Sequence, residues 1–144
     1  MSIEPEHLGW LVKRLQYRHH RALDAQLAAL GVTLVQWNAL REIARHPEAP
    51  QRQLAEHTFN SVQAFGTLAK RLIAAGLVTC RAGTGRATIH ELTPQGKALL
   101  RKGQPILSAV TRSSFAPLSA KDRSDLAHLL EKVLTERPRA RKRR

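Results

Sequence analysis

The stretch from Gly31 to Gly96 constrains the fold more than any other part of the chain. It reads as helix, short helix, helix, then a hairpin with glycines at its tip. At its centre Ser61 precedes Val62-Gln63-Ala64-Phe65-Gly66-Thr67-Leu68-Ala69-Lys70-Arg71-Leu72, and Gly76 follows shortly after. A serine oxygen accepts one of the unpaired N–H groups that open a helix, and glycine takes the left-handed conformation that closes one. At about 100° per residue, Phe65, Leu68, Ala69 and Leu72 gather on one side of this helix. Gln63, Thr67, Lys70 and Ala74 gather on the other, flanked by Gly66 and Arg71. Such a helix rests on a core and shows its far side to something else.

The flanking segments complete a mostly α chain with one small β-hairpin. Residues 5–30 place Leu8, Leu11, Val12, Leu15, His19, Leu23, Leu27 and Leu30 at three- and four-residue steps. That helix would be roughly 39 Å long, too long for one small domain to cover its whole apolar stripe. Gly31 stops it. Thr33 caps a second helix with Leu34, Trp37, Leu40 and Ile43 on its inner side, and His46-Pro47-Glu48-Ala49-Pro50 ends that helix. A short helix follows near 51–57. Strands are expected at 77–81 and 86–92, joined by Ala82-Gly83-Thr84-Gly85. Thr93-Pro94 starts a long helix reaching about Phe115, with a kink predicted at Gln104-Pro105. Ser119 and Asp122 form a capping-box pattern before a last helix carrying Leu126, Leu129, Leu130, Val133 and Leu134. Residues 1–144 read as one domain, with a disordered basic tail at 137–144.

Charge narrows the partner. There are 24 Lys and Arg against 11 Asp and Glu, a net charge of +13. Six of the cations lie in 137–144, yet without them 18 cations still face 11 acids. A basic body points to a polyanion, most commonly nucleic acid. Aromatic residues make up only 4%, leaving few stacking platforms for single strands, so duplex DNA is favoured. One cysteine, no apolar run of membrane-spanning length and an acidic N-terminus without a signal core lead us to expect a cytoplasmic protein.

The far side of the central helix suits the major groove. Gln bonds adenine at two points, Thr touches a base or a thymine methyl, and Lys reaches guanine or phosphate. Gly66 costs about 1 kcal/mol of helix propensity and would let the backbone come close to DNA. No acid interrupts this face. The candidate DNA-binding residues are Ser61, Gln63, Ala64, Gly66, Thr67, Lys70 and Arg71, with Arg81 and Arg86 on the hairpin, where a guanidinium suits the minor groove. Trp10, Arg14 and Tyr17 on the first helix, and Trp37 and Arg41 on the second, repeat an aromatic-plus-arginine spacing that suits a small aromatic acid. The histidines show no ligand spacing backed by Cys or carboxylate, so neither metal nor cofactor is expected. No nucleophile–base arrangement stands out, and the chain is not read as an enzyme. Cys80 reads as a small strand-packing residue. The alternatives are an architectural DNA-binding protein without a sensor, or a redox-responsive regulator using Cys80 beside Arg81.

These residues resemble the MarR (multiple antibiotic resistance regulator) family of bacterial transcription factors. The likeness rests on Gly31-Val32-Thr33-Leu34-Val35-Gln36-Trp37-Asn38-Ala39-Leu40, on Gln53-Leu54-Ala55-Glu56, on Ser61, on 68–78 and on Leu92-Thr93-Pro94-Gln95-Gly96. The resemblance implies a winged helix-turn-helix at 33–92 and intertwined dimerisation helices at 5–30 and 94–136. It implies a homodimer on a pseudo-palindromic duplex, associated with the bacterial nucleoid, and repression relieved by a small ligand, often a phenolic acid. The recognition helix becomes 61–75, and Arg86 matches the wing arginine that enters the minor groove. Thr84 stands where the family usually has Asp, and the wing looks about two residues short. Near His7, where peroxide-sensing members carry a reactive cysteine, there is none.

Overall fold

The computed structural model describes residues 2–135, so the expectation for the tail at 137–144 lies outside the described residues. The order is α1 (Pro5–Leu27), a 3-10 turn (Ala28–Leu30), α2 (Leu34–Arg45), α3 (Gln51–His57), α4 (Val62–Ala74), β1 (Val78–Ala82), β2 (Thr88–Leu92), α5 (Pro94–Phe115) and α6 (Ala120–Thr135). Local signals account for most of these boundaries. Gly31 closes the 3-10 turn at φ +77°. Thr33 accepts the Gln36 N–H while the Gln36 side chain accepts the Thr33 N–H, a complete capping box. The Ser61 hydroxyl accepts the Ala64 N–H. Gly76 leaves α4 at φ +74°. The long fifth helix continues through Pro105, where a kink was expected.

By internal contacts the chain divides into two compact units, 1–110 and 111–144, with the boundary inside α5 rather than in a linker. The first unit holds two adjoining cores. Ala39, Leu40, Ile43, Leu54, Phe65, Leu68, Leu72 and Val78 pack α2, α3, α4 and the root of the hairpin together. Leu23, Leu27, Val32, Leu34, Trp37 and Val110 form the other. Trp37 is fully buried, and Gly103 of α5 packs so closely on its indole that a methyl group there would collide with the ring. In the second unit, reciprocal bonds between Ser119 and Asp122 open α6. No residue of α6 is buried, and Leu129, Leu130, Val133 and Leu134 are exposed.

The hairpin differs from expectation at its tip. β1 and β2 pair antiparallel from Val78 with Leu92 to Ala82 with Thr88. Arg86 therefore lies outside β2, in the connecting turn. The Gly83 N–H bonds the Ala87 carbonyl, the Ala87 N–H bonds the Thr84 carbonyl, and Gly85 sits at φ +66°. These bonds consume 83–87 in the tip, so β2 starts two residues later than expected, while β1 keeps five residues and is shifted by one. Cys80 is a second correction: it is exposed, not packed. It shares a strand face with buried Val78, yet of the cross-strand pair it forms with His90 only the histidine is buried.

Candidate nucleic-acid interface

The approach to α4 is built by side-chain hydrogen bonds and one strained residue. Thr58 donates its hydroxyl to the Leu54 carbonyl, and Asn60 donates its side-chain amide to the Thr58 carbonyl and hydroxyl. Between them Phe59 takes φ +59° with its side chain 97% exposed. The turn delivers Ser61 to its capping position. From there α4 buries Phe65, Leu68, Ala69 and Leu72, the four expected from periodicity. Ser61, Gln63, Ala64, Thr67, Lys70 and Arg71 are all exposed. Thr67 also donates its hydroxyl to the Gln63 carbonyl one turn back. Gly66 is half-buried, and a side chain there would strike the Gln51 amide of α3. Gln51 in turn bonds the Val62 carbonyl. The close contact is with the end of a flexible side chain and involves no backbone atom of α3, so it does not by itself require glycine at this position.

The wing is braced at its base. Thr93 donates its hydroxyl to the Gly76 carbonyl at 2.6 Å, its N–H to the Leu77 carbonyl, and its hydroxyl oxygen accepts the Gly96 N–H. Gly96 lies so near the Leu77 carbonyl that a methyl group would clash with backbone. Further out, Pro50 bridges to Ile89 and adds a single rung to the two-stranded sheet. Arg81 joins three segments: its Nε meets Glu91 at 2.6 Å and its Nη2 meets Glu48 at 2.9 Å. The bond to Glu91, helped by the charge of Glu48, raises the guanidinium pKa above its ordinary value. Arg86 is exposed at the tip and has no ion-pair partner among the described residues. The two hairpin arginines therefore occupy different settings, one tied down and one open.

The five residues read as a ligand set do not converge within one chain. Trp10, Arg14 and Tyr17 lie on the exposed N-terminal part of α1. Leu23 and Leu27, at the other end of α1, share the core of Trp37. Along a helix, Trp10 stands roughly 20 Å and Tyr17 roughly 9 Å from Leu23. On α2, Arg41 lies over the Trp37 ring at 5.4 Å, so that half of the set is assembled. An open cleft of about 480 Å³ lies elsewhere, between the end of α2, β2 and the start of α5. It is lined by Ile43, Leu92 and Leu100 together with Lys97, Arg101 and His90. His90 is buried edge-on to Phe65, its Nδ1 has no hydrogen-bond partner, and burial lowers its pKa.

Glu48 and Glu91 were not singled out from the sequence, nor was the meeting of Glu42 and His46 with His57. The i,i+4 spacing of Glu42 and His46 was visible. Their third neighbour comes from another helix, and no local signal announces it.

Comparison with known proteins agrees with this geometry. Residues 30–87 match the profile of the MarR family. Over 128 residues the chain is 30% identical to the HTH-type transcriptional repressor Rv2887 of Mycobacterium tuberculosis, spanning 88% of this chain and 92% of the repressor. The structure of Rv2887 in complex with salicylic acid superposes with a TM-score of 0.72 at 29% identity, over 92% of this chain and 98% of that one. Rv2887 in complex with DNA superposes with a TM-score of 0.71 at 28% identity, over 88% and 96%.

Proposed function

The chain belongs to the MarR family, and on that premise we propose that it is a sequence-specific, double-stranded DNA-binding transcriptional repressor rather than an enzyme. The observation that carries this reading is α4: capped by Ser61, buried on one side, with Gln63, Thr67 and Lys70 exposed on a face without a carboxylate. In this reading Gln63 and Thr67 read base edges while Lys70 and Arg71 meet guanine or phosphate. Arg86, open at the wing tip, enters the minor groove. Arg81, held by Glu48 and Glu91, acts first as the strut that keeps the wing in place.

The protein works as a homodimer on a pseudo-palindromic site, with two recognition helices in major grooves about 10 bp apart. Support comes from apolar surface that one chain leaves in water: Leu8, Trp10, Leu11 and Val12 on α1, and Leu129, Leu130, Val133 and Leu134 on α6. A small aromatic acid releases the DNA. The salicylic acid complex of Rv2887 supports that ligand class. Trp10, Arg14 and Tyr17 would meet Trp37 and Arg41 only across two chains, so the effector site in this reading is a property of the dimer. No helix among the described residues is long and apolar enough to cross a membrane.

Binding-site selection from random duplexes tests the recognition face. Wild-type protein should enrich an inverted repeat. Gln63→Ala and Thr67→Ala should each relax preference at one position per half-site, by about 1–3 kcal/mol. Unchanged logos for both variants would show that α4 does not read bases.

A further inference from the structure

Close to the start of the helix-turn-helix lies a cluster of ligating side chains that the recognition face does not use. Glu42 is near the end of α2, His46 caps that helix one turn later, and His57 is the last residue of α3. Their ligating atoms all lie within 4.8 Å of one another. His46 Nε2 is 3.3 Å from Glu42 Oε2. The His46 and His57 rings stack with centroids 4.0 Å apart and planes 2° from parallel. Glu42 is buried, His46 half-buried and His57 exposed, so the cluster has a closed floor and an open side.

We propose that Glu42, His46 and His57 bind a divalent transition metal of the zinc class, which pins the end of α2 to the end of α3. The donor set selects the metal. Two imidazoles and a carboxylate suit zinc, cobalt and nickel, whereas calcium and magnesium want oxygen donors alone. Ligands about 2.0–2.1 Å from a tetrahedral centre stand roughly 3.3–3.4 Å apart from one another. His46 and Glu42 already have that spacing. His57 needs only a side-chain rotation, and it stands in solvent at a helix end. Water takes the fourth position.

The carboxylate is divided in a way that fits this role. Glu42 Oε1 faces Arg41 Nε at 3.4 Å and Arg45 Nη1 at 3.6 Å, while Oε2 faces the histidines. The arginines place their charges beside one carboxylate oxygen, without a hydrogen bond from Arg41 Nε, and the other oxygen is left for the metal. Their charge also opposes a dication, so the affinity is modest. A purely structural ion-pair network would account for Glu42, the arginines and His46. It does not by itself account for the ligating atom of His57, from the next helix, lying within 4.8 Å of the other two.

The test uses the untagged full chain, stripped with a chelator and titrated with cobalt(II) chloride. Visible d–d bands of four- or five-coordinate cobalt should grow in and saturate at one metal per chain, and zinc sulfate should displace them. Melting temperature should rise with zinc, because a ligand of the native state stabilises it by mass action. His57→Ala, an exposed change outside the core, and Glu42→Gln should each weaken binding by more than about tenfold, the least that removing a direct ligand should cost when outer partners cost 10–100-fold. His128→Ala on α6 should leave binding unchanged. Failure of the strong four- or five-coordinate bands to rise above the weak absorption of aqueous cobalt at millimolar concentration would overturn the proposal, as would a His57→Ala variant that binds like wild type. DNA binding is not part of the readout, so the regulator reading stands or falls separately.

Discussion

At the scale of single residues, two side chains carry conformational or electrostatic costs that can be measured. Phe59 holds φ +59° with its ring 97% exposed. A residue with a Cβ loses about 1–2 kcal/mol in that region, and an exposed ring has little packing to offset it. Phe59→Asn should therefore stabilise the fold by roughly 1 kcal/mol, since asparagine tolerates the left-handed conformation through its short polar side chain. Urea unfolding measures this; a variant no more stable than wild type would mean the ring is held by contacts in solution. His90 makes the opposite kind of demand. Burial lowers its pKa below the ordinary 6.5. Between that value and the lower one of the folded state, the unfolded chain binds the proton and the native chain does not, so stability rises with pH. The contribution is complete above about pH 6.5 and is lost as pH falls through that window. His19, whose pKa is also lowered by burial and by Arg18, acts in the same direction. Asp122 acts in a separate window. Its bonds from Ser119 lower its pKa below 3.8, so its contribution is lost only in stronger acid. Denaturation midpoints from pH 8 to pH 5 should fall less steeply in His90→Asn than in wild type. Equal slopes would show that the imidazole is protonated in place.

At the scale of elements, the hairpin and α4 are held in place by different means. The helix owes its position to local caps and to four buried side chains. The wing depends on distant anchors: Thr93 on Gly76 and Leu77 at the root, and Arg81 on Glu48 and Glu91 further out. Beyond those anchors only 83–87 project, with Arg86 open to solvent. A minor-groove guanidinium gains most where the groove is narrow, as in A-tracts. Arg86→Ala should accordingly weaken binding to operators with A·T-rich flanks and hardly affect matched G·C-flanked ones. Arg86→Lys should recover part of the loss, because ammonium is more strongly hydrated. Equal losses on both flank types would reduce Arg86 to a phosphate contact.

At the scale of the whole molecule, the exposed apolar side chains decide what state the chain occupies. α1 is 23 residues long and buries only Leu23 and Leu27. α6 buries none of its residues and exposes four large aliphatic ones. Exposed apolar side chains gathered along a helix in this way mark an association site. Sedimentation at micromolar concentration should give twice the 16.1 kDa of one chain. Leu130→Glu with Val133→Glu should shift the protein toward monomer. It should weaken operator binding more than non-specific binding, because only a dimer spans both half-sites. A wild-type monomer under these conditions would remove both the dimer and the shared effector site.

The local elements were legible in the residues alone. The capping box of Thr33 and Gln36, the Ser61 cap, the Gly31 and Gly76 exits and the buried face of α4 all involve groups within about one helical turn of each other. Interactions of that range leave a period or a signature in the sequence. What the tertiary structure decided was which distant groups meet. Arg81 shows no link to Glu48 in the sequence until the fold brings that residue, 33 positions away, to its guanidinium. Gly103 carries no signal until Trp37 lies on it. Trp10 and Trp37 look like two walls of one pocket, yet the length of α1 keeps them apart within a chain. His57 shows no ligand spacing until α3 turns back on α2 and stacks it on His46. In each case the fold decides whether distant partners meet or stay apart, and no spacing along the chain encodes it.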